Sequence, residues 1–400
     1  MRAINRNLVL TLIHAQGPLS RTDIARESGL GNATVSQIAG ELVSGGLVEE
    51  IGEGESTGGR RPLLLRLNPQ AGYVVGVKMM EGAFICAITD LQAEVIARAV
   101  YPTHVNHSLE VVQDRLNQAV QELIRQSAID PQRLIGIGIG LAGIIRAHEG
   151  IVSYSPYFDW HEVDLAGPIA ERFGLPVYLE NDVNTLTIAE QWFGHGRGVD
   201  HFAVVTVGRG IGSGMVINGQ FCRDAAGEIG HVTLVLNGPR CDCGKRGCLE
   251  AVASDPAVIQ RISEELARGR KSVLAHDFEG AQEMTLETVI RAAEANDALA
   301  VETLEQAGTF LGIGIANLIN VFSPPLVIVS GEGLRAGKFR LDAMHAALEE
   351  HVFNGLRDRV RIVTAQIEDT TWARGAASLV LEEIFKSPML GDSKIMERLL

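Results

Sequence analysis

The feature that most restricts how this chain folds is a short loop in which three cysteines, Cys241, Cys243 and Cys248, fall within eight residues. His231 comes ten positions before the first of them. Three thiolates and one imidazole form the ligand set of a closed tetrahedral zinc site, which leaves no open coordination position. An odd total of five cysteines also favours metal over a disulfide framework. The sequence therefore predicts a structural zinc ion.

Two glycines inside the loop, Gly244 and Gly247, permit the backbone to fold back so that the three sulfurs converge. Two alternatives stay open. The cysteines can be three free thiols in a loop, and His231 can be an ordinary core histidine.

Length and composition limit the class of protein. A chain of 400 residues with 46% apolar and 21% charged side chains is expected to form two or three soluble domains. No apolar run is long enough to span a bilayer. Polar residues among positions 1–6 interrupt the apolar core that a signal peptide needs. We therefore expect a cytoplasmic protein with no membrane partner.

Residues 1–68 predict short helices followed by a hairpin. Ser20 with Asp23 forms an approximate capping box at the start of a second helix, and Gly29 permits a tight turn. A third helix starts at Gly31 or Asn32. Two strands, 47–51 and 63–67, complete a winged helix-turn-helix domain.

A winged helix-turn-helix domain places its third helix in the major groove of DNA. The short polar residues on the outer face of that helix suit base edges and phosphates, and the arginines of the second helix and the wing suit the DNA backbone and minor groove. The predicted DNA-contacting residues are Arg21, Asn32, Thr34, Ser36, Gln37, Arg60 and Arg61. The alternative is a helical interaction module with a charged hairpin.

The net charge of −14 argues at first against nucleic acid. However, residues 1–70 contain seven Arg and seven Asp or Glu, so the whole acidic excess lies beyond residue 70. DNA contact must then depend on individually placed arginines and helix N-termini.

Beyond a linker at 68–70, strands and helices alternate, which predicts an α/β fold with mixed sheets. The expected strands are 73–77, 83–89, 95–101, 134–141, 177–179, 202–207, 214–217 and 326–330, and the expected helices are 108–126 and 303–322, with mostly helical chain from 256 to 295.

Three segments of this body resemble the ROK family, whose name stands for repressor, open reading frame, kinase. They are Gly138–Gly143, Leu179–Asn184, and the stretch from Glu228 through the cysteines to Glu250. The resemblance runs from the N-terminal domain to about Phe385. It implies a two-lobed, actin-like, sugar-kinase-like (ribonuclease H-like) ATPase-type fold. The implied domains are 1–68, a smaller lobe at 69–195 completed by a helix at about 370–388, and a larger lobe at 196–369 with the zinc loop and dimer interface.

The resemblance also implies a sugar site made of carboxylate, amide and imidazole groups, which pair with sugar hydroxyls. Its residues are Gly143, Asn181, Asp182, Glu228, His231 and Glu250. Asp182 matches the general base of the family's kinases. His231 then has two possible roles. It can be a zinc ligand, or it can contact the sugar while water takes its place on the metal. Both roles are combined if one ring nitrogen binds zinc and the other donates to the sugar.

The turn at residues 78–82 departs from the kinase pattern. At this turn, ROK kinases have Asp-x-Gly-Gly-Thr, in which the small residues let the ATP phosphates approach and the carboxylate helps to hold magnesium. Lys78 replaces the Asp, Met80 and Glu81 replace the glycines, and Gly82 replaces the Thr. In the second phosphate loop, 208–214, Arg209 replaces the usual Thr.

We therefore expect a sugar-responsive transcriptional repressor without catalytic activity, in which Asp182 is a vestigial base. It would bind a pseudo-palindromic operator as a homodimer or a dimer of dimers. An aldose such as xylose or glucose, bound in the cleft between the lobes, would release the DNA. The alternative is a ROK-type hexose kinase or a bifunctional kinase-regulator.

Overall fold

A computed structural model describes the chain except for residues 54–60, 104–107, 224–226, 276–283, 367–368, 386–394, 396–397 and 400. The described chain divides into two compact units. The first comprises Met1–Ala189 and Asp369–Leu400, and the second comprises Glu190–Glu368. Within the described residues, every helix is too short or too polar to cross a bilayer.

The first unit begins with a winged helix-turn-helix domain. Its elements are α1 (Arg2–Gln16), β1 (Leu19–Ser20), α2 (Arg21–Ser28), α3 (Asn32–Ser44), β2 (Val48–Glu53) and β3 (Leu63–Leu67). The Ser20 hydroxyl accepts from the backbone N–H of Asp23, whose carboxylate contacts the Ser20 backbone, so the predicted capping box is present. Gly29 ends α2 in the left-handed region at φ 70°.

The three strands of this domain form an antiparallel sheet in the order β1-β3-β2. Its helices bury one apolar face each against the sheet. The fully buried members of this core include Val9, Leu10, Ile24, Val35, Leu42 and Leu65. The predicted fold of residues 1–68 is therefore present.

A five-stranded mixed sheet lies at the centre of the rest of the first unit. Its strands are β4 (Tyr73–Met79), β5 (Ala83–Thr89), β6 (Val95–Pro102), β7 (Leu134–Leu141) and β11 (Val177–Asn181), in the order β11-β7-β4-β5-β6. Strands β4, β7 and β11 are parallel, whereas β5 and β6 are antiparallel additions. A small antiparallel sheet of β8 (Ile144–Arg146), β9 (Ile151–Ser155) and β10 (Trp160–Asp164), which the sequence analysis missed, follows β7.

Helices α4 (Leu109–Gln126), α5 (Ala166–Phe173) and α6 (Asp182–Phe193) follow the strands. The last helix of the described chain, Asp369–Phe385, returns to the same sheet; we call it the C-terminal helix.

The backbone of the C-terminal helix packs directly against the backbone of the sheet, with no room for a side chain between them. A side chain at Gly76 of β4 would place its Cβ 1.9 Å from the Ala373 carbonyl oxygen. One at Gly138 of β7 would lie 1.9 Å from the carbonyl oxygen of Ala376. Glycine at both strand positions is therefore what permits this backbone-to-backbone approach.

The far end of the same helix contacts the N-terminal domain. The Asn7 side chain donates to the Ile384 carbonyl at 3.2 Å. The His14 ring stacks on Phe385 with centroids 4.0 Å apart. One helix thus packs on the central sheet and on α1.

The second unit repeats the sheet plan of the first. Its strands are β12 (Phe202–Val207), β13 (Ile211–Ile217), β14 (Gln220–Phe221), β15 (Leu326–Ser330) and β16 (Arg361–Thr364), in the order β14-β13-β12-β15-β16. As in the first unit, the first strand pairs with an antiparallel hairpin on one side and parallel strands on the other. This duplicated order is that of the ribonuclease H-like, actin-type fold.

Helices complete the second unit: α7 (Glu250–Ala253), α8 (Asp255–Ala267), α9 (Leu286–Glu294), α10 (Ala298–Phe322), α11 (Lys338–His351) and α12 (Asn354–Arg357). Several bounds differ from expectation, among them the starts of α10 and β13. Helix α10 starts at Ala298 because Asp297 caps it, accepting from the Ala300 N–H. Strand β13 starts at Ile211, so the glycine-rich loop is shorter than predicted.

The contact of the C-terminal helix predicts a specific cost. Gly138→Ala should lower the free energy of unfolding by about 1–3 kcal/mol, because its methyl group meets a main-chain oxygen. Urea unfolding followed by far-UV circular dichroism measures it. Gly82→Ala is the matched control, since its Cβ would meet nothing within 4 Å. Equal midpoints for the two variants would contradict the packing described.

Candidate functional sites

A candidate metal centre lies in the second unit. One ligand atom from each of its four residues lies within 4.8 Å of the others, and they are His231, Cys241, Cys243 and Cys248. The Cys243 and Cys248 sulfurs are 3.7 Å apart, and the Cys241 sulfur is 3.6 Å from His231 Nδ1. Tetrahedral zinc with ordinary bond lengths would set these separations at about 3.8 and about 3.6 Å. The donor set and its spacing therefore fit zinc.

The loop reaches this geometry through its glycines. Gly244 and Gly247 have φ values of 88° and 71°, in the left-handed region that favours glycine. A Cβ at Gly247 would lie 1.6 Å from the carbonyl oxygen of Val235. Both positions behave as the sequence predicted.

The two ring nitrogens of His231 face different partners. Nδ1 faces the Cys241 sulfur, whereas Nε2 lies 3.6 Å from Glu228 Oε2. Glu250 adds a carboxylate oxygen 3.8 Å from the Cys241 sulfur. The ring thus has Nδ1 toward the thiol cluster and Glu250, and Nε2 toward Glu228.

Burial raises the pKa of the Cys241 thiol well above its usual value. A thiol of this kind becomes a thiolate at neutral pH only when a cation replaces its proton. At Cys241, the chemistry therefore suits a metal ligand better than a free thiolate.

The predicted sugar-binding residues of the first unit meet at the end of β11. The Asn181 amide donates to the Gly143 carbonyl at 3.0 Å, and its oxygen accepts from the Val183 N–H at 2.9 Å. Asp182 is the first residue of α6, where free backbone N–H groups stabilise negative charge. Its Oδ1 accepts from the same Val183 N–H. The amide and the carboxylate keep further capacity for hydroxyl partners.

A buried residue missed in the sequence analysis supports this segment. Glu180 accepts from the Asn181 N–H at 2.8 Å and from the Asn184 amide at 3.0 Å. It holds the turn between β11 and α6.

Lys78 contacts Asp182 directly, a pairing that the sequence analysis did not foresee. The two side chains form a buried ion pair, and the Trp372 ring centroid lies 4.3 Å from the Lys78 ammonium. The available signal was a lysine within the apolar run of β4, since a buried ammonium requires a partner.

The turn that departs from the kinase pattern is a tight hairpin between β4 and β5. The Met80 N–H donates to the Ala83 carbonyl at 2.9 Å, and Glu81 is exposed.

The loop that resembles the second phosphate loop lies in the second unit. Its Gly208 is close to Glu332, and a Cβ at Gly208 would lie 2.7 Å from the Glu332 carboxylate. Arg209 lies 3.9 Å from Asp242.

The outer face of α3 carries the predicted DNA-contacting side chains. Asn32, Ser36 and Gln37 are exposed and Thr34 is half-buried, whereas Val35, Ile38, Ala39 and Leu42 face the core. This helix therefore presents short polar groups to solvent over its first two turns.

The predicted arginines differ in their surroundings. Arg21 forms an ion pair with Glu50 at 2.6 Å across the domain. Arg61 is exposed. Arg60 lies outside the described residues.

The predicted site residues belong to different units. Gly143, Asn181 and Asp182 lie in the first, with all the described DNA-contacting candidates. Glu228, His231 and Glu250 lie in the second, together with the cysteines.

Comparison with known proteins agrees with an N-terminal helix-turn-helix domain followed by a ROK-type body. The ROK family profile matches residues 74–383, and the IclR helix-turn-helix domain matches residues 7–52. A crystal structure of a ROK family transcriptional regulator, a homolog of the E. coli MLC protein, superposes with a TM-score of 0.85 at 28% identity, covering 100% of this chain and 98% of that one.

Two curated relatives are similar over nearly their whole length. The xylose repressor of Bacillus subtilis (strain 168) is 30% identical over 96% of each chain. The transcriptional dual regulator NagC of Escherichia coli (strain K12) is 30% identical over 98% of this chain and 95% of its own. With a matching profile over most of its length and full-length relatives of this kind, the chain belongs to the ROK family.

Proposed function

We propose that this protein is a sugar-responsive transcriptional repressor of carbohydrate-utilisation genes. The observation that carries the proposal is the pairing, within one compact unit, of a winged helix-turn-helix domain with a ROK-type lobe. A sugar kinase that does not bind DNA does not require an exposed recognition helix such as α3. The full-length similarity to a xylose repressor and to a transcriptional dual regulator supports the same function.

The effector in this proposal is a neutral monosaccharide. Asn181 and Asp182 of the first unit, and Glu228, His231 and Glu250 of the second, supply the hydrogen-bonding groups that sugar hydroxyls need. Gly143 belongs to this set through its carbonyl, which orients the Asn181 amide. Relatives named as xylose repressor and as N-acetylglucosamine repressor favour these two sugars among the candidates.

The protein is proposed to lack kinase activity. Lys78 stands where the kinases of the family have Asp, and its ammonium is paired with the matching base Asp182. The exposed Glu81 carboxylate in the adjoining turn would repel ATP phosphates.

Zinc is proposed as the structural metal, held by His231, Cys241, Cys243 and Cys248. When bound, the ion would supply a rigid cross-link and no reaction chemistry, because the protein fills all four positions. Glu228 and Glu250 flank the His231 ring, so the metal would also orient these carboxylates.

The DNA partner is proposed to be a pseudo-palindromic operator bound by a homodimer or a dimer of dimers, with Arg21, Arg60 and Arg61 assisting the residues of α3. A protein that binds such an operator would act in the cytoplasm. Sugar binding is proposed to release the operator, an effect of about 1–3 kcal/mol in allosteric proteins.

Removing one base-reading side chain should weaken DNA binding. Gln37→Ala is expected to cost about 1–3 kcal/mol of operator affinity, because its exposed amide can pair with a base edge. Gel shift against genomic fragments enriched by the wild-type protein measures the change. Gln121→Ala, an exposed glutamine of α4, is the matched control. Equal binding by both variants would remove Gln37 from the interface.

Sugar binding should depend on Asp182. Wild-type protein is expected to show a higher melting temperature with millimolar D-xylose, D-glucose or N-acetyl-D-glucosamine, and Asp182→Asn to lose most of that increase, since a charged acceptor is replaced. Asp114→Asn on the exposed face of α4 is the control.

Two results would contradict the sugar-sensor proposal. One is the absence of any shift with every sugar tested. The other is sugar-dependent ADP release from ATP, which would support the kinase alternative.

Loss of one thiol should remove the metal. Cys243→Ala is expected to bind less than one zinc per chain by plasma mass spectrometry and to melt at a lower temperature, because three ligands hold zinc less tightly than four. Cys222→Ala, outside the cluster, should retain the wild-type zinc content. Wild-type protein purified with no zinc would exclude the proposed site.

A further inference from the structure

We infer that Lys78 is a positioning residue that serves as a fixed internal cation for the sugar site and takes the place of a divalent metal. The inference deepens the proposed function and depends on it for the identity of the ligand. The observation that carries it is the buried contact between the Lys78 ammonium and Asp182, beneath the ring of Trp372.

The fold brings these residues together from three elements. Lys78 lies near the end of β4, the central strand, and Asp182 starts α6. Gly140, the register partner of Lys78 on β7, has no side chain, so α6 can approach until the Asp182 Cα would be 3.6 Å from a Cβ there. Trp372, in the first turn of the C-terminal helix, covers the ammonium with its face.

The cation leaves the carboxylate oriented and still able to bind. One oxygen of Asp182 contacts the ammonium, and the other accepts from the Val183 N–H at 2.9 Å. Each carboxylate oxygen can accept more than one hydrogen bond. A sugar hydroxyl can therefore donate to a carboxylate whose direction is already set, which lowers the ordering cost of binding.

Charge explains why the fixed cation removes the need for a metal. Two carboxylates at positions 78 and 182 would repel each other unless a divalent ion lay between them. Lysine provides the compensating charge covalently. Sugar binding by this protein should therefore be independent of Mg²⁺.

The experiment compares wild type with Lys78→Arg, Lys78→Met and Lys78→Asp. Affinity for D-xylose, D-glucose and N-acetyl-D-glucosamine is measured by calorimetry on the full chain, with MgCl2 and in Mg²⁺-free buffer without chelator. Quenching of Trp372 fluorescence, identified by comparison with Trp372→Phe, reports events at the pair itself.

Wild type is expected to bind its sugar equally with MgCl2 and in Mg²⁺-free buffer without chelator, which leaves the proposed zinc in place. Lys78→Arg should bind within about threefold, because it keeps the charge, and Lys78→Met should bind at least about tenfold more weakly while still folded. Lys78→Asp should bind sugar only with MgCl2. A folded Lys78→Met that binds as tightly as wild type would overturn the inference.

A sugar-free arm decides the case if Lys78→Met does not fold or if no sugar binds. MgCl2 alone should raise the melting temperature of Lys78→Asp, but not that of wild type or of Lys78→Asp combined with Asp182→Asn. If MgCl2 does not raise the melting temperature of Lys78→Asp, the Lys78 ammonium does not occupy a cation position, and the inference is wrong. Failure of every sugar with wild type rejects the proposed function, and the MgCl2 result still tests Lys78.

Discussion

The first unit depends on the close approach of the C-terminal helix to the central sheet. Gly76 and Gly138 remove the side chains that would otherwise meet the carbonyls of Ala373 and Ala376. The helix then covers strands β4 and β7 with its backbone, and its two ends lie at different functional parts of the unit. Trp372 near the start lies on Lys78, and Phe385 at the end stacks on His14 of the N-terminal domain.

Because interiors are close-packed, a helix held in this way moves together with the strands on which it lies. Lys78 on β4, the proposed sugar-binding residues at the end of β11 and the first helix of the N-terminal domain are thus parts of one compact unit. If the proposed sugar site is correct, a change at that site is transmitted to the DNA-binding domain through this helix.

The chemistry of the sites rests on opposite charges placed in pairs. Lys78 compensates Asp182 within the first unit. In the second unit, a metal ion would compensate the thiolates of the cysteine loop, while His231 links that loop to Glu228 and Glu250. Burying an unpaired charge costs free energy of folding, so each of the two clusters needs the opposite charge that neutralises it.

Local patterns predicted much of this protein because their causes are local. The capping box at Ser20, the left-handed glycines of the cysteine loop and the apolar face of α3 all depend on residues a few positions apart. Strand and helix alternation likewise predicted most elements of both sheets. The hairpin strands β8–β10 were missed, because their segments are short and half exposed, so they lack a clear period.

By itself, the sequence determined the alternation of strands and helices, the four candidate zinc ligands and the polar face of α3, since each follows from residue type and spacing. The two-lobed, actin-like fold was what the resemblance to the ROK family implied. Only the tertiary structure decided that Lys78 meets Asp182 and Trp372, and that Arg21 is paired with Glu50. Those partners lie far apart along the chain. Their proximity is set by strand order, by the glycine at position 140 and by the return of the C-terminal helix, which no local pattern specifies.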